Sequence, residues 1–396
     1  MMTTNEQDQL IEKAVSACHG NTFLYKYISA NDAGRTGAHQ SGFYIPNSCW
    51  PLIFENPGIN GVNKDRIVTI TWNDDFETES RFIWYGKGTR SEYRLTRFGR
   101  DFPFLSDAYI GSLLVISCDR NDNSYRGFVI DSDEGIERFQ TEFNISPIVS
   151  CGLIRRDQGY LSPLESDSIS SMFESFIKSV PADVFPATQV ISLAAREICG
   201  RLGQPSDPDG RIVRWLDTEY SLFKYIEGIR YADTLDNGFG SLDELIEFAN
   251  SILNRRKSRA GRSLEHHLGA MFDYCKLPYI SNPIIEGRKK PDFIFPGDVQ
   301  YNDASYPKDQ LVFLAAKTTC KDRWRQILTE ADRIDKKYLF TLQQGISANQ
   351  LHEMMDVNVH LVIPKSNISA FPDAYHDKLL TLKDFISITR KTIRVS

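Results

Sequence analysis

The chain has 396 residues, a length typical of two or three domains, and its 41% hydrophobic and 25% charged residues exclude a disordered, collagen-like or disulfide-stapled protein. The net charge of −6, taken alone, argues against a polyanionic partner. No segment approaches the roughly 18 consecutive apolar residues of a membrane helix, the polar N-terminus lacks the order of a secretory signal, and the scattered cysteines form no CxxC pair. We therefore expect a cytoplasmic protein without membrane contact.

The first 155 residues predict a β-rich domain. Residues 5–18 suit a short helix, and from residue 20 onward short apolar or alternating runs such as RIVTITW and YIGSLLVISC are separated by turn signals such as ENPG and NDNS. Many short strands at this spacing are typical of a barrel or a sandwich. The polar stretch 156–184, with Ser and Pro at its edges, predicts an interdomain linker that includes a short helix.

The remaining residues, 185–396, predict an α/β domain around a central mixed sheet. Apolar residues at helical spacing predict helices over 187–202, 213–230 and 241–254, and Ser263 is a candidate N-cap of a further helix. The elements expected after it are strands at about 282–286, 291–295 and 311–319, a helix over 321–336, a strand over 337–342, a helix near 347–356 and a strand over 359–363. This order of helices and strands indicates the α/β class.

Basic residues are concentrated in two segments. Residues 81–100 contain six Lys or Arg, one acidic residue and five interleaved aromatic side chains. Residues 254–262 contain five Lys or Arg, among them Arg255, Arg256 and Arg259, and no acidic residue. Either segment alone could be an ordinary solvated surface. Two Arg-rich clusters in an acidic chain favour contacts with the phosphates of a nucleic acid.

Four residues of the second half form a candidate site for phosphodiester hydrolysis. Asp292, in a Pro-Asp pair, opens one predicted strand, Lys317 lies near the end of the next, and Glu330 follows in the predicted helix. This chemistry uses carboxylates that hold Mg²⁺ and a cation that orients the attacking water. Asp292 and Glu330 are therefore candidate metal ligands, and Lys317 is the candidate water-orienting group. Glu265, in the preceding helix, could support this metal or bind a second one.

The predicted helix over 321–336 also carries candidate DNA-reading groups. Steps of three and four residues align Arg323, Gln326 and Glu330 on one helix face, so that the first two face DNA where Glu330 reaches the metal. Arg pairs bidentately with guanine, and the carboxylate of Asp322 can accept a hydrogen bond from cytosine. The alternative is a solvent-exposed face with an ordinary Arg–Glu pair, which spacing alone does not exclude.

Several long segments resemble EcoRII-like type IIE restriction endonucleases. They are SANDAGRTGAHQSGFYIP at 29–46, NRRKSRAGRSLE at 254–265, EGRKKPDFIFP at 286–296 and AAKTTCKDRWRQILTEADRI at 315–334. The resemblance covers nearly the whole chain apart from 156–212. It implies an N-terminal DNA-binding pseudobarrel domain, residues 1–155, a linker, residues 156–184, and a PD-(D/E)xK endonuclease domain, residues 185–396.

The same resemblance implies an activity and its partners. EcoRII-like enzymes are Mg²⁺-dependent homodimers that cut double-stranded DNA at a short CCWGG-type site. Their N-terminal domain covers the catalytic cleft until it binds effector DNA, which is a further copy of the site. A cognate DNA methyltransferase is the functional companion that such an enzyme implies.

The resemblance also implies roles for individual residues. The active-site motif falls on Glu265, Asp292, Lys317 and Glu330, with Ala315 where many such nucleases have their second acid. The base-reading segment falls on Lys321, Asp322 and Arg323. In the N-terminal domain one effector-binding arm falls on Lys26, His39 and Tyr44, and the other on Arg90, Glu92 and Arg94.

Two places depart from the family pattern. At one position of the second effector arm this chain has Tyr93, whereas the EcoRII-like pattern has Lys. EcoRII-like enzymes flip the central base pair into pockets that include an Arg and a Tyr, and Tyr220 matches the Tyr, but Leu216 aligns with the Arg. Either Arg214, two residues earlier, substitutes for that Arg or the central pair is handled differently.

Three functions are compatible with these observations. The first is a site-specific endonuclease, the second a non-catalytic DNA-binding regulator with a decayed nuclease domain, and the third a structure-specific repair nuclease of the same fold. The complete set of Asp292, Lys317 and Glu330 favours an enzyme, because a decayed site should have lost one of the three. Two basic segments with residues suited to base edges favour sequence-specific cleavage.

Overall fold

The computed structural model describes residues 4–33, 42–119, 124–155, 167–182 and 184–394. Their strands form two separate sheets, one in each half of the chain. Within these ranges no helix combines the length and the apolar character needed to cross a membrane.

The N-terminal half is built around an eight-stranded sheet. Its elements are α1 (Thr4–Cys18), β1 (Thr22–Tyr27), β2 (Phe43–Ile45), α2 (Trp50–Ile53), β3 (Lys64–Trp72), β4 (Phe76–Tyr85), β5 (Glu92–Thr96), β6 (Leu113–Cys118), β7 (Tyr125–Ile130), α3 (Asp133–Glu142) and β8 (Cys151–Ile154). The strand order is β2-β5-β4-β3-β7-β6-β1-β8, and the neighbours are antiparallel except for the parallel pair β3 and β7.

This sheet curls until its two edges approach each other. Lys26 of β1 lies opposite Cys151 of the edge strand β8, and its Nζ donates to the carbonyl of Tyr44 in the other edge strand, β2. One face encloses an aromatic core around Phe43 and Trp72. The other face is covered by α1 and α3. The expected β-rich, barrel-like domain is present.

The C-terminal half has a six-stranded mixed sheet covered on both faces. Its elements are α4 (Asp167–Ser179), α5 (Thr188–Leu202), α6 (Pro208–Asn237), α7 (Leu242–Tyr274), β9 (Ile280–Ser281), β10 (Phe293–Phe295), α8 (Asp298–Asn302), β11 (Val312–Lys317), β12 (Lys337–Thr341), α9 (Ala348–Asp356), β13 (Val359–Ile363), β14 (Leu380–Thr381) and α10 (Leu382–Thr392). The order is β14-β13-β12-β11-β10-β9, parallel from β11 to β14 and antiparallel from β9 to β11.

Helices hold this sheet between two apolar layers. Leu268 and Phe272 of α7 pack with Phe385 of α10 on one face. Trp324 and α9 cover the other face. Helix α4 belongs to this half by packing, because Phe173 is fully buried against residues of α5 and α6.

Two predicted elements extend differently in the structure. The helices expected at 241–254 and from Ser263 are one 33-residue helix, α7, in which Ser263 is buried and Ser241 is the N-cap. Arg and Lys are good helix formers, so the basic run between them continues the helix. The strand expected at 282–286 is wrong, because only Ile280 and Ser281 pair with β10 before Asn282 turns the chain at a φ of 51°.

The helix expected over 321–336 is also wrong. The chain forms a 3-10 helix, Arg323–Thr329, then Glu330 is extended and Ala331 has a φ of 50°. The carbonyls of Glu330 and Ala331 accept hydrogen bonds from the side chain of Lys337. The backbone N of Ile334 donates to the carbonyl of Ala331 at 2.9 Å, three residues back, so the i to i−4 ladder of an α-helix does not continue past this point.

Candidate active site and the helix that covers it

Asp292 and Lys317 meet at adjacent strands of the second sheet. Asp292 immediately precedes β10, and Lys317 is the last residue of β11, which pairs with β10 through Phe293 and Leu314. Asp292 Oδ2 accepts from Lys317 Nζ at 3.2 Å and from the backbone N of Ala316 at 2.7 Å. The backbone bond fixes the carboxylate, and the partly exposed ammonium stays beside it.

Glu330 completes a three-residue group. Burial raises the pKa of its carboxyl, the charge of Lys317 lowers it, and the charge of Asp292 raises it, so all three groups act on one another. Glu330 Oε2 is buried and accepts no hydrogen bond from the described residues. A buried carboxylate oxygen without a donor is costly, and a cation is the kind of partner that would satisfy it.

Glu265 is connected to this group through one side chain. It lies in α7 and its Oε2 accepts from Asn282 Nδ2 at 3.0 Å, while the backbone N of Asn282 donates to the carbonyl of Asp292 at 3.0 Å. The structure thus places Glu265 at the edge of the site, one residue removed from Asp292.

The carboxylates of this site suit Mg²⁺ better than a metal whose ligands must all come from the protein. Among the described residues no group of three or more His, Cys, Asp or Glu could hold a metal by itself. Mg²⁺ usually binds through one or two carboxylates plus substrate phosphates and waters. Asp292 and Glu330 would supply those two carboxylates.

The predicted base-reading segment is occupied by α3 of the N-terminal half. The backbone N atoms of Lys321, Asp322 and Arg323 all donate to the carboxylate of Asp133, at 2.7–3.0 Å. Lys321 is buried, and its Nζ donates to Ser112 Oγ at 2.9 Å and pairs with Asp131.

Glu137, one turn further along α3, binds the same segment. Its Oε1 accepts from Arg323 Nη1 at 2.6 Å, from Thr318 Oγ1 at 2.8 Å and from Thr319 Oγ1 at 3.2 Å. Thr318 and Thr319 follow Lys317 directly in the chain, so α3 is bound next to the Asp292–Lys317 pair.

The other end of α3 is held by the basic part of α7. Arg256 is buried, and its Nη1 donates to the carbonyls of Thr141 and Glu142 at 3.2 and 3.0 Å. Glu227 of α6 pairs with Arg256 Nε at 3.0 Å and accepts from Asn144 Nδ2 at 2.7 Å. Arg256 thus meets the negative end of the α3 dipole, and α3 is bound at both ends by the C-terminal half.

Three other predicted DNA-binding residues take part in cation–π contacts within the protein. The guanidinium of Arg255 stacks on Phe185 at 4.4 Å, and the guanidinium of Arg259 stacks on Tyr220 and Phe223, each at 4.9 Å. Arg259 and Tyr220 are buried, and Arg214 is half-buried. The expectation that 254–262 forms an open basic face is therefore not met in this conformation, where Lys257 and Arg262 are the exposed cations of that run.

The described residues of the two predicted effector arms meet at the curled edge of the first sheet. Lys26 Nζ binds Asp32 Oδ2 at 2.6 Å, Asp32 Oδ1 accepts from the backbone N of Tyr44 at 2.8 Å, and Tyr44 lies opposite Arg94 in the β2–β5 ladder. Arg94 Nε donates to Glu92 at 3.2 Å. His39 lies outside the described residues.

The remaining two residues of the second arm differ from each other. Arg90 is exposed, with its guanidinium 5.6 Å from the ring centroid of Tyr85. Tyr93 is only 2% exposed, packs on Trp84 and accepts from the backbone N of Gly58. In this conformation Tyr93 is a core residue, because strand alternation points it to the opposite face from Glu92 and Arg94.

Sequence reasoning missed α3 and its acids. Ser132 caps the helix, Asp133 and Glu134 lie in its first turn, and Ile136 and Phe139 form its buried face. A cap followed by acids and by apolar residues three apart is a helix signal. The interpretation of the whole region as β strands obscured it.

Comparisons with known proteins decide the family. A family model described as the N-terminal part of the restriction endonuclease EcoRII matches residues 17–156, and a second model, described as the EcoRII C terminus, matches residues 223–386. The type II restriction enzyme EcoRII of Escherichia coli is 37% identical over 392 residues, which cover 94% of each chain. The chain belongs to the EcoRII family of type II restriction enzymes.

Other similar proteins are more distant from this EcoRII-family chain. The type II restriction enzyme SsoII of Shigella sonnei is 27% identical over 166 residues, which cover 38% of this chain and 53% of that protein. A solved structure described as metal-depleted Ecl18kI in complex with uncleaved, modified DNA aligns with a TM-score of 0.46 and 21% identity over 57% of this chain and 84% of that chain. Membership of the EcoRII family confirms the resemblance and the two-domain fold class, whereas the residue roles stay predictions.

Proposed function

We propose that this chain is a Mg²⁺-dependent type II endonuclease that hydrolyses double-stranded DNA at a short palindromic site of CCWGG type. The observation that carries the proposal is the ion pair of Asp292 and Lys317, whose charges act on Glu330, a residue whose buried Oε2 has no hydrogen-bond donor in the described part of the chain. Two carboxylates and one ammonium are the groups that metal-assisted phosphodiester hydrolysis requires. Family membership supplies the reaction class.

Each of the three groups has a definite task in this reaction. Asp292 and Glu330 would hold Mg²⁺, which neutralises charge on the phosphate and lowers the pKa of an attacking water. Lys317 lies 3.2 Å from Asp292 Oδ2, so its ammonium can orient the water and stabilise charge that develops on the phosphate. Glu265 and Asn282 hold the backbone of Asp292 in place from the edge of the site.

The DNA-reading surface follows the catalytic strand directly. Lys321, Asp322 and Arg323 would contact the bases of the target, and the exposed Lys257 and Arg262 would contact its phosphates. We also propose that Arg255, Arg256, Arg259, Arg214 and Tyr220 contact DNA in an open conformation. Apart from the half-buried Arg214, each of these residues has a polar group that contacts other residues of the protein or is buried in the conformation described above.

We propose that effector DNA controls this access. A second copy of the site would bind the two arms of the N-terminal domain. One arm consists of Lys26, His39 and Tyr44, and the other of Arg90, Glu92, Tyr93 and Arg94. The closed conformation places α3 on the base-reading segment through Asp133 and Glu137. Effector DNA stimulates cleavage if it binds the open conformation more tightly than the closed one.

The active form would be a homodimer, because a palindromic site presents two equal half-sites to two equal subunits. Its support in this structure is the exposed apolar side of the α6–α7 hairpin, where Leu242, Leu245 and Ile246 are 69%, 42% and 48% exposed. A cytoplasmic enzyme of this kind would have a methyltransferase of the same site specificity as its companion.

The test is digestion of a sequenced plasmid with Mg²⁺, followed by mapping of the DNA ends. We expect ends at one short recurring sequence, and loss of cleavage with retained DNA binding in Asp292→Ala and Lys317→Ala. Asp309→Ala, an exposed carboxylate that precedes β11, is the matched control and should cut normally. Specific DNA binding without any cleavage by the wild-type chain would instead support a non-catalytic regulator.

A further inference from the structure

The chain leaves a helical path at one of the proposed metal ligands. Residues 321–336 have helical apolar spacing, yet the helical turns end at Thr329, Glu330 has φ −95° and ψ 145°, and Ala331 has φ 50°. A non-glycine residue at positive φ is strained. The surrounding structure must therefore hold this break in place.

Lys337 makes the contacts that hold it. This residue begins β12 and is 5% exposed, and its Nζ donates to the carbonyl of Ala331 at 2.7 Å and to the carbonyl of Glu330. In a continuing α-helix the amides four residues further on would bind these carbonyls. Here the amide of Ile334 binds the Ala331 carbonyl at 2.9 Å instead of the Glu330 carbonyl, and the lysine ammonium supplies the donor that the Glu330 carbonyl then lacks, which favours the break over the helix.

The position of Lys337 is itself fixed. Its backbone is opposite Phe313 in the parallel ladder of β11 and β12, and its Nζ lies 5.2 Å from the Phe313 ring centroid. An apolar residue would fill this buried place more cheaply than an ammonium, which is costly to bury. A lysine at this position contributes an ammonium group that donates hydrogen bonds to the carbonyls of Glu330 and Ala331.

The break decides where the Glu330 side chain lies. Glu330 follows the helical turns directly, and its extended backbone leaves Oε2 buried, near enough to Lys317 and Asp292 for their charges to act on it and with no donor among the described residues. We propose that Lys337 is a positioning residue, which holds the break at Glu330–Ala331 and thereby presents the Glu330 carboxylate to the metal. This inference rests on the proposed function, since it assumes that Glu330 binds Mg²⁺.

The test measures metal binding as well as cleavage in the full-length chain. Mn²⁺ binding is followed by electron paramagnetic resonance, and the Mg²⁺ concentration for half-maximal cleavage is determined in parallel. Loss of a group that orients a metal ligand typically weakens metal binding about 10- to 100-fold, and we expect this for Lys337→Met in both measurements. Lys336→Met is the matched control, because Lys336 is the adjacent, exposed lysine, and it should behave as wild type.

A rescue variant separates positioning from general loss of charge. Glycine adopts positive φ without strain, so adding Ala331→Gly to Lys337→Met should recover part of the metal affinity. No recovery in a folded double variant would make the effect one of lost charge and would overturn the positioning role. Should Lys337→Met not fold, Lys337→Gln, which keeps an uncharged NH2 donor group, should show an intermediate loss.

Glu330→Gln distinguishes failure of this inference from failure of the proposed function. If Glu330→Gln loses Mn²⁺ and Lys337→Met binds it as wild type does, the positioning role is wrong and the ligand assignment stands. If Glu330→Gln binds Mn²⁺ like the wild type, the ligand assignment is wrong and the role of Lys337 falls with it.

Discussion

Arg323 Nη1, in the segment that we expect to read bases, donates at 2.6 Å to Glu137 Oε1 on a helix of the other domain. Glu137 and Asp133 present carboxylate oxygens to the donors of this segment. Guanine O6 and N7 and the phosphate oxygens of DNA are acceptors for the same kind of donor. Under the proposed function, closure is therefore a competition between α3 and DNA for the same donors, in addition to steric cover.

This competition predicts that removing the two carboxylates activates the enzyme. Asp133→Asn with Glu137→Gln should raise the rate on DNA with a single site by roughly tenfold or more, since a hydrogen bond to a charged group contributes about 1.5–3 kcal/mol. The initial rate on a one-site plasmid measures it. Glu134→Gln, an exposed acid in the same helical turn, is the control. Equal rates for all three proteins would show that these contacts do not limit cleavage.

Arg323→Ala should lose discrimination at one G·C pair, at a cost of about 1–3 kcal/mol for a bidentate contact. The variant also releases Glu137, which affects binding to every sequence alike. The measurement is therefore the ratio of affinities for the site and for single-mismatch duplexes. Arg325→Ala, which removes an exposed arginine paired with Glu353, should leave that ratio unchanged. A ratio that is also unchanged in Arg323→Ala would make Arg323 a phosphate contact.

Arg90→Ala should weaken stimulation by effector DNA without changing the rate that the enzyme has alone. Arg90 is exposed, whereas Arg94 is 4% exposed and donates to Glu92 and to the Gly42 carbonyl, so its loss would also disturb the fold. The effector concentration for half-maximal stimulation measures the effect, with Lys13→Ala on α1 as a control of equal charge. Unchanged stimulation in Arg90→Ala would move the effector site elsewhere.

Glu330→Gln should stabilise the metal-free enzyme at high pH. Burial raises the pKa of Glu330 above that of an unfolded glutamate, so the folded state favours the protonated form. Its contribution to stability is complete below the ordinary glutamate pKa and is lost as pH rises through the raised value. We expect Tm in EDTA to increase by roughly 2 °C at pH 8 and to be unchanged at pH 4. An equal change at both pH values would exclude ionisation as the cause.

Periodicity and local signals predicted the sheets better than the site. The positions of β10, β11, β12 and β13 in the chain followed from their apolar runs, and the closeness of Asp292 and Lys317 followed from the expectation that their strands are adjacent. The backbone path around Glu330 could not be predicted from periodicity, because it depends on the buried Lys337, seven residues later, whose side chain binds the Glu330 carbonyl. The role of α3 could not be predicted either, since its partners in the C-terminal half are 114–190 residues distant in the chain.

Cleavage of a one-site plasmid shows whether the N-terminal domain closes the nuclease site and effector DNA opens it. The proteins compared are the full chain, with and without a short duplex carrying the site, and a fragment of the catalytic domain. The fragment should start at Asp167, because a start near Ala182 would remove Phe173, which packs on α5 and α6. We expect slow cleavage by the full chain alone, faster cleavage with the duplex, and fast, duplex-independent cleavage by the fragment. Equal rates under all three conditions would contradict the account and leave the N-terminal domain as an accessory DNA binder.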